Sequence, residues 1–292
     1  MFAEEWPLMM FTLLTQLGVG TFILLTITGT VLESKENHKA ASQLTNTGFP
    51  AIGVIMALAL VLSLFHLGTP SGAYRALLNL GSSWLSREIL FVGIFFGLIL
   101  GNYFVAGKGQ FNKILSWITS LTGLMVIFSM ASIYSSSIRP AWNGGNTFLA
   151  FLGTTLLFGV LGSVVLIMQG LKGDKLSPEL INLLKKISLI GIAALLIQLV
   201  YLPVYYTALS GGGDAALASA QALAGSYGPM WVIRWILSGI GAGLLAYTLF
   251  KKGNTSLPLP ANTVYVAFAL VLVGEFLGRY IFYASAVSIM VG

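Results

Sequence analysis

Apolar residues run along this chain in eight long stretches, each followed by a short cluster of charged or turn-forming residues. A transmembrane helix needs roughly 20 mostly apolar residues, and the stretches at about 8–32, 48–66, 88–107, 114–135, 147–170, 186–209, 229–250 and 262–286 meet that length. The second is short and could extend back to Leu44. Separators such as "ESKENHK", "AGKGQFNK", "RPAWNGGN", "SGGGDAA" and "KKGNTSLPLP" hold the breaker residues expected outside a bilayer. The pattern predicts an all-α polytopic membrane protein: eight transmembrane helices in a bundle, one integral membrane domain over 1–292, no soluble domain and no repeat.

Composition agrees. Of the 292 residues 57% are apolar and only 8% charged, whereas soluble domains carry about 25% charged residues. The net charge of +6 is the loop lysine and arginine of a membrane protein, not a nucleic-acid footprint. The acidic start, "MFAEEWPLMMF", leads into a run too long for a signal peptide, so the first span is expected to be retained.

The basic residues divide by side. Connections 1–2, 3–4, 5–6 and 7–8 hold all ten lysines, and the opposite side holds all five arginines, Arg75, Arg87, Arg139, Arg234 and Arg279. The positive-inside rule puts the lysine side in the cytoplasm and both chain ends outside. Lysines in polar loops set topology. An arginine beside apolar runs and carboxylates is a planar, permanently charged fork suited to holding a partner.

Ionisable groups within the apolar stretches are the candidates for chemistry, because hydrocarbon makes them costly. His66 ends the second stretch, Glu88 opens the third, Arg234 opens the seventh, and Glu275 and Arg279 stand four apart in "GEFLGRYIFY". That spacing puts the last two on one helix face as an ion pair. All lie toward the arginine side. The chain has no cysteine and only two histidines, His38 in a polar loop and His66, so no haem or iron–sulfur cluster of its own is expected. A carboxyl and an imidazole at the edge of an apolar bundle can take protons from a membrane-soluble donor such as a quinol. Plainer readings stand beside this one: Glu275 and Arg279 neutralise each other and lock span eight, His66 is a helix-end hydrogen-bond partner, and Glu88 pairs with Arg87 at the surface.

Three stretches carry a family resemblance. "EWPLMMFTLLTQ", "HLGTPSGAYRALLNLGSSWLSREI" and "GEFLGRYIFY" resemble the opening, the signature second connection and the last span of the dimethyl sulfoxide reductase membrane-anchor family, within the polysulfide-reductase-type membrane subunits. The resemblance implies an eight-helix anchor in the bacterial plasma membrane with both ends outside. It also implies a heterotrimer with an iron–sulfur electron-transfer subunit and a molybdopterin catalytic subunit. It ties Glu88 and His66 to menaquinol oxidation; Arg75, Arg234, Glu275 and Arg279 are the further candidates for holding the quinol that the residues themselves offer. The competing classes are a purely structural anchor and a secondary transporter, although the two matching halves typical of transporters are not seen.

The orientation is checked by reporter fusions after Lys186 and after Gly292. The first is expected to report the cytoplasm and the second the outside.

Overall fold

The computed structural model describes residues 2–35, 37–65, 75, 78–107, 110–171, 177–251 and 259–289. Among them are nine helices: α1 (Phe2–Ser34), α2 (His38–Leu64), α3 (Trp84–Ala106), α4 (Lys113–Ser135), α5 (Gly145–Gly170), α6 (Pro178–Ser210), α7 (Asp214–Ala224), α8 (Gly228–Lys251) and α9 (Ala261–Ala284). All but α7 are long and apolar enough to cross a membrane. The protein is an all-helical, multi-pass membrane bundle.

Several helices start earlier than the apolar pattern predicts, and local capping is the reason. α2 begins at His38, not near 48, because Asn37 Oδ1 accepts from Ala40 N at 3.3 Å. The polar first turns of α2 stay helical by turning hydroxyls onto their own backbone, as Thr45 does to Ala41 O at 3.1 Å. His38 is therefore helical and not in a loop, and its Nδ1 lies 2.9 Å from Glu33 at the end of α1. α6 begins at Pro178 behind a Ser177 cap, eight residues before the expected 186. α3 begins at Trp84, where Ser83 Oγ accepts from Ser86 N at 3.3 Å. The short α7 was not anticipated at all. Its Ala-rich sequence, DAALASAQALA, favours helix but lacks the length of a span.

Two helices are central. In α1 and in α5, 78% of the most apolar window is buried, against 28–50% in the other six spans. They cross backbone to backbone at glycines. A Cβ added at Gly20 would stand 1.9 Å from Thr155 O, and one at Gly159 would stand 2.6 Å from the Gly20 carbonyl. Lipid tails are as apolar as leucine, so such small-residue contacts, not a hydrophobic driving force, hold helices together in a bilayer. α2, α4 and α9 also pack on α1, and α6 on α5. Because the spans alternate in direction, both described chain ends and the connections after α2, α4 and α6 share one face, here called the terminal face. The lysine-bearing connections lie on the other.

Gly20→Ala forces α1 and α5 apart, at a cost of about 1–3 kcal/mol. Thermal unfolding of the purified chain in detergent is expected to show a lower midpoint for Gly20→Ala. Gly97→Ala, whose Cβ would meet nothing within 4 Å, is expected to unfold like the wild type.

Candidate functional site

Glu88 comes to its position through the start of α3. Arg87 is engaged elsewhere: its Nε donates to Leu80 O at 2.8 Å, its Nη2 to Gly81 O at 2.6 Å, and its guanidinium covers the Trp84 ring at 4.3 Å. It clamps the incoming chain and does not pair with Glu88. One residue further round the helix, Glu88 turns into the bundle. It heads a buried stripe with Val92, Phe95, Ile99, Asn102 and Ala106, alternating in steps of four and three. The expected place for Glu88 was the opening of the helix at the membrane edge. It sits instead in the second turn, 6% exposed. Among the described residues nothing donates a hydrogen bond to its carboxylate.

Near it stands an aromatic wall from α4, the connection after α4, and α9. The Tyr134 and Tyr283 hydroxyls hydrogen-bond to each other, and Glu88 lies within electrostatic reach of both. Tyr134 meets Trp142 edge-on at 5.1 Å and Phe282 edge-on at 5.3 Å. Trp142 stacks on Phe282 at 5.4 Å and donates its Nε1 to Phe282 O at 2.7 Å. Arg139, from the connection after α4, lies over the Trp142 ring at 4.5 Å.

Deeper in the bundle a second carboxylate is treated in the opposite way. Glu275 Oε2 accepts from Thr154 Oγ1 at 2.5 Å, and its Oε1 accepts from Ser238 Oγ at 2.9 Å. Arg234 Nη2 closes it at 3.4 Å and also donates to Gln198 Oε1 at 3.2 Å. The expected Glu275–Arg279 ion pair is therefore corrected: the cation on Glu275 comes from α8. Two glycines one helical turn apart explain why. A Cβ at Gly274 would stand 2.4 Å from Ser238 Oγ, and one at Gly278 would stand 2.5 Å from Arg234 Nε. The bare face of α9 lets α8 bring Ser238 and Arg234 in beside Glu275. Arg279 points elsewhere, with its Nη2 donating to Gln16 Oε1 at 2.8 Å and its guanidinium 3.9 Å from the Phe151 ring centre. Gln16 in turn donates to Phe151 O at 3.1 Å.

Of the sequence candidates, Arg234, Glu275 and Arg279 lie together in the bundle, and Tyr283, one turn beyond Arg279, links them to Glu88. Arg75 is exposed, in the connection on the terminal face. His66 lies outside the described residues. Tyr134, Tyr283, Gln16, Gln198, Thr154 and Ser238 were not singled out from sequence. Gln16 and Gln198, amides inside apolar runs, carried a readable signal; hydroxyls and tyrosines in a membrane helix do not. Among the described residues no three His, Cys, Asp or Glu side chains gather as a metal site.

Comparison with known proteins is consistent along the whole sequence. Residues 1–285 match the family described as DMSO reductase anchor subunit (DmsC). The protein is 28% identical to the C chain of the anaerobic dimethyl sulfoxide reductase of Haemophilus influenzae over 283 residues, covering 96% of this sequence and 94% of the relative. It is equally 28% identical to two Escherichia coli relatives, the anaerobic dimethyl sulfoxide reductase YnfH chain over 291 residues and the reductase's C chain over 292. Each alignment covers 98% of this sequence and 96% of the relative.

Removing one partner of a buried ion pair costs about 3–5 kcal/mol, because the other charge is left uncompensated. Arg234→Ala is expected to lower membrane abundance and melting temperature sharply. Adding Glu275→Gln to Arg234→Ala is expected to recover part of that loss, since the stranded charge is then gone.

Proposed function

This chain belongs to the DMSO reductase anchor-subunit family, and from that premise we propose that it oxidises menaquinol at Glu88 and hands the electrons to a docked iron–sulfur subunit, which feeds a molybdopterin catalytic subunit. The observation that carries this reading is the contrast between the two carboxylates buried among the described residues. Glu275 has both oxygens occupied by hydroxyl donors and a guanidinium. Glu88 is buried as well, yet has lone pairs no described residue fills. A group that must take a proton has to keep an acceptor site open at rest.

The oxidation converts a quinol to a quinone with release of two electrons and two protons. Glu88 takes a hydroxyl proton, and His66 is the proposed second acceptor, at the near end of the same connection. The apolar ring slot comes from the aromatic wall around Tyr134 and Phe282. Arg75 stands outside the bundle, where a cation guides approach and docking. Arg234, Glu275 and Arg279 hold α1, α5, α8 and α9 in register behind the site. The chain has no cysteine with which to hold a cluster, and a hydrocarbon core roughly 30 Å thick separates the two faces. The electron acceptor therefore docks on the terminal face, outside the plasma membrane, and protons and electrons leave on the same side.

The test is Glu88→Gln, which keeps the shape and removes the base. Turnover of the complex with a menaquinol analogue is expected to fall by about 10²-fold or more, the usual contribution of a general base. Turnover with a reduced dye that feeds the partner subunits directly is expected to stay at the wild-type level. Equal loss with both donors would assign Glu88 to packing or docking.

A further inference from the structure

Beyond the ends of the spans, the two faces of the bundle treat apolar side chains differently. On the lysine face, among the described residues, Phe111 packs on the core and Leu171 and Leu259 are buried against it. On the terminal face Leu78, Ile138, Leu217, Val287 and Ile289 stand exposed, by 37% to 78%. These residues lie past the ends of the spanning helices.

Two of them, Val287 and Ile289, line one groove. A cavity of about 660 Å³ opens between α7, the end of α6, the connection after α4 and the segment after α9. Pro140, Tyr205, Val287 and Ile289 form its sides, and Gly213 and Ala218 leave it open. The segment after α9 is fastened in place: Val287 N donates to Ser219 Oγ at 3.0 Å and Ile289 N to Ile138 O at 3.4 Å. Asn143 and Asp214 give the groove a polar edge. The groove also adjoins the buried polar network, because Tyr205 lines both this cavity and the one beside Arg234, Glu275 and Arg279.

We propose that this groove seats an apolar protrusion of the water-soluble, electron-accepting subunit. The inference rests on the proposed function, which requires an acceptor on the terminal face, and adds where that subunit is gripped. An exposed apolar patch rimmed by polar residues marks an interaction surface. Its place on the face where the proposed function has the electrons leave calls for that partner.

The chain contains no cysteine, so Ser288→Cys gives it a single thiol, exposed in the lining of the groove. Labelling by a membrane-impermeant maleimide in open membrane fragments is expected to be about tenfold or more slower in the assembled complex than in the chain expressed without partners, a difference worth about 1.4 kcal/mol of protection. Equal labelling, fast or slow, overturns the proposal; slow labelling in both would mean that lipid or a second copy covers the groove. Gly213→Trp is the blocking variant. Its Cβ would meet nothing within 4 Å and its φ is −71°, so the indole enters the groove without strain on the chain itself. Recovery of partner subunits on the tagged chain is expected to fall about tenfold or more, with the amount of chain in the membrane unchanged. Gly239→Trp, equally open but on the lipid-facing side of α8, is expected to recover them in full. Full recovery with Gly213→Trp overturns the proposal. Both readouts measure assembly and not turnover, so they stand or fall separately from the role of Glu88.

Discussion

A charge taken out of water must be closed by donors or by an opposite charge, and in hydrocarbon no solvent makes up the shortfall. Much of this bundle follows from how differently that constraint is met around its buried charges. Around Glu275 it is met. α5 supplies Thr154, α8 supplies Ser238 and Arg234, and α6 orients Arg234 through Gln198. Arg279 and Gln16 extend the same polar tie from α9 to α1. Five of the eight spans are thereby joined where apolar packing alone discriminates poorly between helix neighbours. Around Glu88, which is also buried, no described residue donates to the carboxylate.

Glycine makes the closure possible. Gly20 and Gly159 bring the two central helices into backbone contact, and Gly274 and Gly278 clear a face of α9 for α8. Without those bare faces Arg234 would not reach Glu275 at 3.4 Å. Packing and electrostatics are therefore not separate layers here: small residues set the helix spacing, and the spacing decides which charge meets which.

The sequence made the membrane class and the eight spans plain, because apolar length is a strong signal. It placed the helix starts too late wherever a polar cap and backbone-bonded hydroxyls precede the apolar run, as in the first turns of α2. It missed α7, eleven residues long with no apolar length to notice. Glu88 was legible as a candidate, and its burial follows from the stripe through Val92, Phe95 and Ile99. The partner of Glu275 was not legible. Spacing along one helix favoured Arg279, whereas the choice was made between helices by Gly274 and Gly278, whose role shows only once α8 is in place. Tyr134 and Tyr283, 149 residues apart, could not have been joined by any local pattern.

The central claim is that the open carboxylate takes the quinol proton and the closed one does not. Infrared difference spectroscopy of the assembled complex, recorded as a menaquinol analogue is oxidised, reads this directly. A protonated-carboxyl band that shifts in deuterium oxide should accompany the reaction, vanish in Glu88→Gln and persist in Glu275→Gln. A band that survives Glu88→Gln, or is lost only in Glu275→Gln, would contradict the account.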